Sequence, residues 1–174
     1  MNAPATAVQA PLRLIERRSS LRSRGLMALL RWLNARPLRA DTDLVRLRQR
    51  YEAIDARHVR LHPSVRRVRV DCQGVPAEWI SVPESRPGRT LLVLHGGSFA
   101  FRFPNTHAAF AARLCRRFGA RALLPDYRLL PEHPFPAAPD DCATAYRALL
   151  AGGCDPADTV VVGDSAGGNL ALVT

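Results

Sequence analysis

Lysine is absent from this sequence, and all 25 basic residues are arginine. That reads as a codon preference rather than a uniform need for guanidinium groups, and no mechanism rests on it. Also missing are the Cys/His spacing that holds zinc and the CxxC pair of a thioredoxin-type redox site: Cys72, Cys115, Cys142 and Cys154 are scattered. Free buried thiols in a reducing, cytoplasmic compartment fit that pattern. No apolar run is long enough to cross a bilayer. The most apolar early stretch, Gly25 to Leu33, is short, interrupted by Arg31 and followed by no small-residue cleavage site. Aromatic residues are scarce at 6% and are not interleaved with the basic stretches, which argues against a nucleic-acid partner.

What is present is an ordinary globular composition, 47% hydrophobic and 23% charged, over 174 residues. A chain of this length suits one domain that buries roughly two-thirds of its unfolded surface. The net charge of +10 is unevenly spread: residues 1–70 hold 16 arginines against 5 acids, residues 71–174 hold 9 against 10. The basic third reads as arginines on the solvated faces of amphipathic helices, with contact to a membrane surface as the alternative.

Helical spacing of Leu26, Leu29, Leu30 and Leu33, broken by Asn34 to Pro37, predicts a first helix after a frayed Ala/Pro-rich start over residues 1–12. Leu44, Leu47, Tyr51 and Ile54 predict a second, with Asp41 or Asp43 as its N-cap and an end before His62-Pro63. From residue 65 the period becomes two: Val68, Val70 and Cys72 alternate with charged residues, and Gln73-Gly74 turns into Val75–Val82, a β-hairpin. Leu91–Leu94, Ala122–Leu124 and Thr159–Val162 are apolar runs expected of buried parallel strands. Between them Thr106–Phe118, closed by Gly119, and Ala138–Ala151, closed by Gly152-Gly153, predict helices. Alternating strands and helices make the fold α/β, with a mostly parallel sheet and an antiparallel N-terminal hairpin.

Chemistry enters where two of these strands end. Thr159–Val162 runs into Gly163-Asp164-Ser165-Ala166-Gly167, a G-x-S-x-G turn followed by residues that suit a helix. Such a nucleophile elbow presents a serine oxygen at the end of a sheet, on a turn tight enough to need Gly163 and Gly167. Leu91–Leu94 runs into His95-Gly96-Gly97-Ser98-Phe99, whose small residues let backbone N–H groups approach a ligand. In acyl transfer, N–H donors aimed at the oxyanion contribute roughly 3 kcal/mol apiece. The natural set is Gly97, Ser98 and Ala166, with Ser165 as the nucleophile.

HGGSF, the segment DYRLLPEHPFPAAPDD from Asp126 to Asp141, and GDSAGGNLA from Gly163 to Ala171 together resemble the hormone-sensitive-lipase-like (GDXG) esterases of the α/β-hydrolase fold. The resemblance covers about residues 65–174. It implies hydrolysis of carboxylic esters of short or medium acyl chains, a small-molecule ester as the partner, and no metal or cofactor. It assigns Ser165 as nucleophile, Gly97, Ser98 and Ala166 as oxyanion donors, and His95 and Gly96 as loop support. Asp126, Tyr127, Arg128, Glu132 and Asp140 are expected to brace the pocket from below. Two positions depart from the family pattern: Ser98 stands where a third glycine is usual, and Phe103, in place of a small polar residue, is expected to narrow the mouth of the site.

The triad of this fold runs in the order Ser, acid, His, and no histidine follows Ser165; His58, His62, His95, His107 and His133 all precede it. The sequence therefore reads as a fold truncated after the elbow, lacking the triad acid and histidine and by itself inactive, with Thr159–Val162 left as a sheet edge. Residues 1–62 are expected to form basic cap helices and residues 63–174 a partial α/β-hydrolase domain. The alternative is a catalytically inactive small-molecule-binding member of the same fold.

Overall fold

The computed structural model describes residues 20–33 and 41–174. The frayed start and the Asn34 to Pro37 interruption lie outside the described residues. The chain divides into two compact units, Met1–Asp41 and Thr42–Thr174. In the first, helix α1 spans Leu21–Leu33. Its start is capped by Ser20, whose hydroxyl accepts from the Ser23 amide at 3.1 Å.

The second unit opens with helix α2, Leu44–His58. Of the two candidate caps it is Asp43 whose carboxylate accepts from the Arg46 amide, at 2.9 Å. The division at Asp41/Thr42 thus places α2 in the same unit as the sheet. Strands β1 (Arg66–Cys72) and β2 (Val75–Ser81) form the antiparallel hairpin. Gln73 and Gly74 both take positive φ, 57° and 92°, and the Asp71 carboxylate accepts from the Gly74 amide. Two successive positive φ angles give the turn the twist that antiparallel strands need.

Then follow β3 (Thr90–Leu94), α3 (Pro104–Phe118), β4 (Arg121–Pro125), α4 (Ala137–Ala151), β5 (Thr159–Gly163) and α5 (Ala166–Val173). The strand order is β1-β2-β4-β3-β5, with β3 parallel to both β4 and β5, so β2 alone runs against the rest. Side chains alternate across a strand, so β3 feeds two cores. Leu92 and Leu94 pack with Leu123, Cys142, Ala145, Leu149 and Leu170 on one face. Leu91 and Val93 pack with Ile80, Ala108, Ala111, Ala112 and Cys115 on the other. Each fully buried Leu or Ile of these layers contributes about 1.5–3 kcal/mol.

Val68 is 40% exposed, because β1 is the sheet's outer strand. Two expectations are corrected. The strand over Thr159–Val162 is half-buried rather than buried: β5 pairs with β3 alone, which leaves Val160 56% exposed. That edge is what the reading without later strands anticipated. Helix α3 begins at Pro104, ahead of Thr106, since proline's fixed φ suits a first helical turn. All four cysteines are free, Cys154 only half-buried, and burial pushes Cys115 up to about 11 and Cys142 up to about 12.

Candidate active site

β3 and β5 lie side by side with Leu94 opposite Gly163, so the loop after one and the turn after the other leave the same end of the sheet. Ser165 sits between β5 and α5 with φ 51° and ψ −118°, a strained conformation for a residue with a side chain. Close approaches on both sides hold it there. A Cβ at Gly163 would lie 2.0 Å from the Gly167 carbonyl oxygen, and one at Gly167 would lie 2.0 Å from that of Leu94. Only glycine lets the strand, the turn and the neighbouring strand close to this distance. Ser165 itself is exposed, and helix α5 starts immediately behind it, with Gly168 and Asn169 amides donating to the Ser165 carbonyl.

The loop after β3 is equally tight. Gly97 has φ 128°, and its carbonyl accepts from the amides of Ala100 and Phe101 at 3.0 and 2.8 Å. Ser98 and Phe99 follow in the left-handed region at φ 55° and 57°. Among the described residues the amides of Gly97, Ser98 and Ala166 donate to no protein acceptor. The Gly96 amide does: it donates to Oδ1 of Asp164 at 2.9 Å, tying the loop to the residue before Ser165. The sequence had offered Asp164 only as part of the elbow.

His95 is 6% exposed and lies between two rings, Tyr127 at 4.2 Å and His107 at 5.1 Å between centroids. Its Nδ1 is 2.8 Å from the Gly96 carbonyl, an acceptor, so Nδ1 carries the proton. Nε2 is buried and has no partner among the described residues. Burial pushes the ring's pKa down to about 4, which keeps it neutral. The Tyr127 hydroxyl donates to the His95 carbonyl, fixing the start of the loop from below.

The rest of the Asp126–Asp141 segment is anchored by ion pairs. Asp126 pairs with Arg102, which also reaches Glu52 of α2 at 2.7 Å, and Glu132 pairs with Arg48 of α2. Arg48 further donates to the carbonyls of Ala100 and Leu130. Arg128 is held by two-pronged contacts to Asp141, a residue that the expected brace had not included. Asp141 is on the buried side of α4, 6% exposed, whereas Asp140 one residue earlier faces solvent. Phe103 packs against Tyr51 and His107, at 5.9 and 6.0 Å between centroids. Asp55 of α2 caps α3 from outside it, accepting from the Asn105 amide at 2.6 Å and from the Thr106 amide and hydroxyl at 3.1 and 2.6 Å. Sequence reasoning missed Asp55, Arg48 and Arg102, whose partners lie far along the chain.

A mixed sheet with helices on both faces, and a serine at a strand–helix turn beside a glycine loop, are features of the α/β-hydrolase fold. Residues 91–174 match the family described as alpha/beta hydrolase fold. The chain is 48% identical over 96 residues to an acetyl-hydrolase of Streptomyces hygroscopicus, covering 55% of this chain and 32% of that protein. To the carboxylesterase/phospholipase LipF of Mycobacterium tuberculosis it is 39% identical over 110 residues, 61% of this chain and 30% of that one. The crystal structure of an esterase from the bacterial hormone-sensitive lipase (HSL) family matches with a TM-score of 0.73 at 36% identity, over 89% of this chain and 51% of that chain. The chain is thus similar to esterases of the hormone-sensitive-lipase family and shares their α/β-hydrolase fold. It spans about a third of the length of these curated relatives and about half that of the solved structure.

Proposed function

We propose that this chain carries the nucleophile and oxyanion hole of a carboxylic-ester hydrolase. The observation that carries the reading is Ser165, exposed at φ 51° on a strand–helix turn and tied through Asp164 to the glycine loop beside it. The serine oxygen attacks the ester carbonyl carbon, and the charge that develops on the carbonyl oxygen is met by the amides of Gly97, Ser98 and Ala166. Collapse expels the alcohol and leaves an acyl-serine, which water then hydrolyses to the acid. No metal or cofactor takes part in this scheme.

The scheme needs a base to take the serine proton, and His95 is a poor one: Nδ1 is engaged by Gly96 and Nε2 is sealed. His107 Nδ1 accepts from the Phe103 amide at 3.3 Å. In this fold the base and its orienting acid follow the serine in the chain, and no histidine follows Ser165 within these 174 residues. Helix α2, joined to the site by Arg48, Glu52 and Asp55, acts as part of a cap over it, and the enzyme is cytoplasmic. Its substrates are small esters of short or medium acyl chains.

Treating the full-length gene product with diethyl p-nitrophenyl phosphate tests the reading. A single phosphoryl adduct on the peptide that contains Ser165 is expected. Adduct formation elsewhere, or none in a protein that binds but does not turn over esters, favours the non-catalytic alternative.

A further inference from the structure

Two consecutive residues of the loop after β3, Ser98 and Phe99, hold φ angles of 55° and 57°. A side chain makes that region unfavourable, so such a pair persists only where its surroundings fix it. Inside the loop, the Gly97 carbonyl accepts from the amides of Ala100 and Phe101. From outside, the Leu130 amide donates to the Phe99 carbonyl at 2.8 Å. One side chain completes the arrangement. Nη1 of Arg48, on α2, donates to the Ala100 carbonyl at 3.2 Å and to the Leu130 carbonyl at 3.0 Å, while Nη2 pairs with Glu132. Among the described residues no other side chain bonds the backbone of residues 97–101.

The route from Arg48 to the oxyanion donors runs through planar trans peptides, in which C=O and N–H point opposite ways. Holding the Ala100 carbonyl fixes the Ala100–Phe101 peptide, and with it the Phe101 N–H that donates to the Gly97 carbonyl at 2.8 Å. Holding the Gly97 carbonyl fixes the Gly97–Ser98 peptide in turn, and so the direction of the Ser98 N–H. Docking of α2 has other anchors: Glu52 pairs with Arg102, and Asp55 accepts from the start of α3. The Arg48 side chain is only 12% exposed, and a charged donor makes stronger hydrogen bonds than a neutral one. We infer that Arg48 is a positioning residue for ester turnover, setting the Ser98 N–H through the Ala100 and Gly97 carbonyls, an inference that rests on the reading of Ser165 as nucleophile. Donors aimed at the oxyanion act on the transition state, so Arg48 governs kcat rather than KM.

Steady-state hydrolysis of p-nitrophenyl butyrate by the full-length gene product and its Arg48→Met variant tests this. Methionine keeps an unbranched stem and removes every N–H, so kcat should fall about tenfold to 100-fold while KM stays within about threefold. The inhibition constant of a trifluoromethyl ketone, whose adduct with the serine carries an oxyanion, should rise by the same factor, an effect that lowered stability alone does not produce. Ser165→Ala, run in parallel, separates the two readings. Turnover that survives Ser165→Ala, or that the wild-type protein lacks, overturns both. Turnover lost in Ser165→Ala but kept within about threefold of the wild-type kcat in Arg48→Met overturns the role of Arg48 alone. Should Arg48→Met not fold, Arg48→Lys decides, because lysine is one atom shorter and brings one nitrogen to the Ala100, Leu130 and Glu132 acceptors. A folded Arg48→Lys protein with kcat lowered about threefold or more at an unchanged KM supports the inference. A wild-type kcat in that variant, or failure of both variants to fold, overturns it.

Discussion

The Gly96 amide and the Asp164 carboxylate are 2.9 Å apart, so the loop that offers N–H groups and the turn that offers the serine are one hydrogen-bonded assembly. A Cβ at Gly96 would meet Asp164 Oδ2 at 2.3 Å, which shows how closely the two are fitted. Asp164→Ala in the full-length gene product should lower kcat by about tenfold or more, by loosening the donors rather than removing one. Asp164→Asn retains a carbonyl acceptor and should lose much less. Steady-state kinetics on p-nitrophenyl butyrate, with melting temperatures measured in parallel, separates the two.

Ser98 takes φ 55°, a region that costs a non-glycine residue roughly 1 kcal/mol. Ser98→Gly keeps the backbone N–H and removes the strain, so kcat should stay within a few-fold and stability should not fall. A large loss of kcat in a stable Ser98→Gly protein would make the hydroxyl, not the amide, the working group. Proline cannot adopt this φ, so Ser98→Pro should disrupt the loop as well as delete the donor.

Asp55 satisfies the Asn105 and Thr106 amides at the start of α3 and the Thr106 hydroxyl while 4% exposed. Removing it leaves buried donors unpaired, at about 1–3 kcal/mol each. Asp55→Ala should therefore lower unfolding free energy by about 2–4 kcal/mol, read from urea denaturation. A change under about 0.5 kcal/mol would show that water replaces the carboxylate.

The buried imidazole of His95 gives the fold a pH dependence of defined sign. Its pKa is held down to about 4 by burial, against about 6.5 in the unfolded chain. Unfolding then takes up a proton that the folded state refuses, so stability is full above pH 6.5 and falls as the pH drops from there to about 4. The loss should reach about 3 kcal/mol, and His95→Gln should flatten the curve in this window. Asp141 acts lower: burial raises its pKa, but the bonds from the Arg128 side chain and amide outweigh this and hold it below the usual value of 3.8. Its contribution is lost only as the pH falls below that value, so the two groups are separable by titration.

Much of this architecture could be read from residue order. Gly163–Gly167 follows an apolar run and precedes a helix, which identifies the elbow, and Gln73-Gly74 fixes the hairpin turn. What stayed hidden depended on partners distant in sequence. Asp55 lies 50 residues from Asn105, and nothing local to α2 distinguishes a capping carboxylate from a solvated one. Asp140 and Asp141 could not be told apart before the phase of α4 against the sheet was known. The exposure of Val68 and Val160 reflects their places at the two sheet edges, which depend on strand order rather than on residue type.

Turnover of p-nitrophenyl butyrate by the full-length gene product and by its Ser165→Ala variant is the most direct measurement. The wild-type protein should hydrolyse the ester, and the folded variant should lose about 10⁴-fold or more in kcat. The 174-residue chain alone, without a base, should show only the roughly 10³ to 10⁴ over water that oxyanion donors and binding supply. A folded Ser165→Ala protein that keeps its kcat within tenfold of the wild type would contradict the assignment of Ser165 as nucleophile.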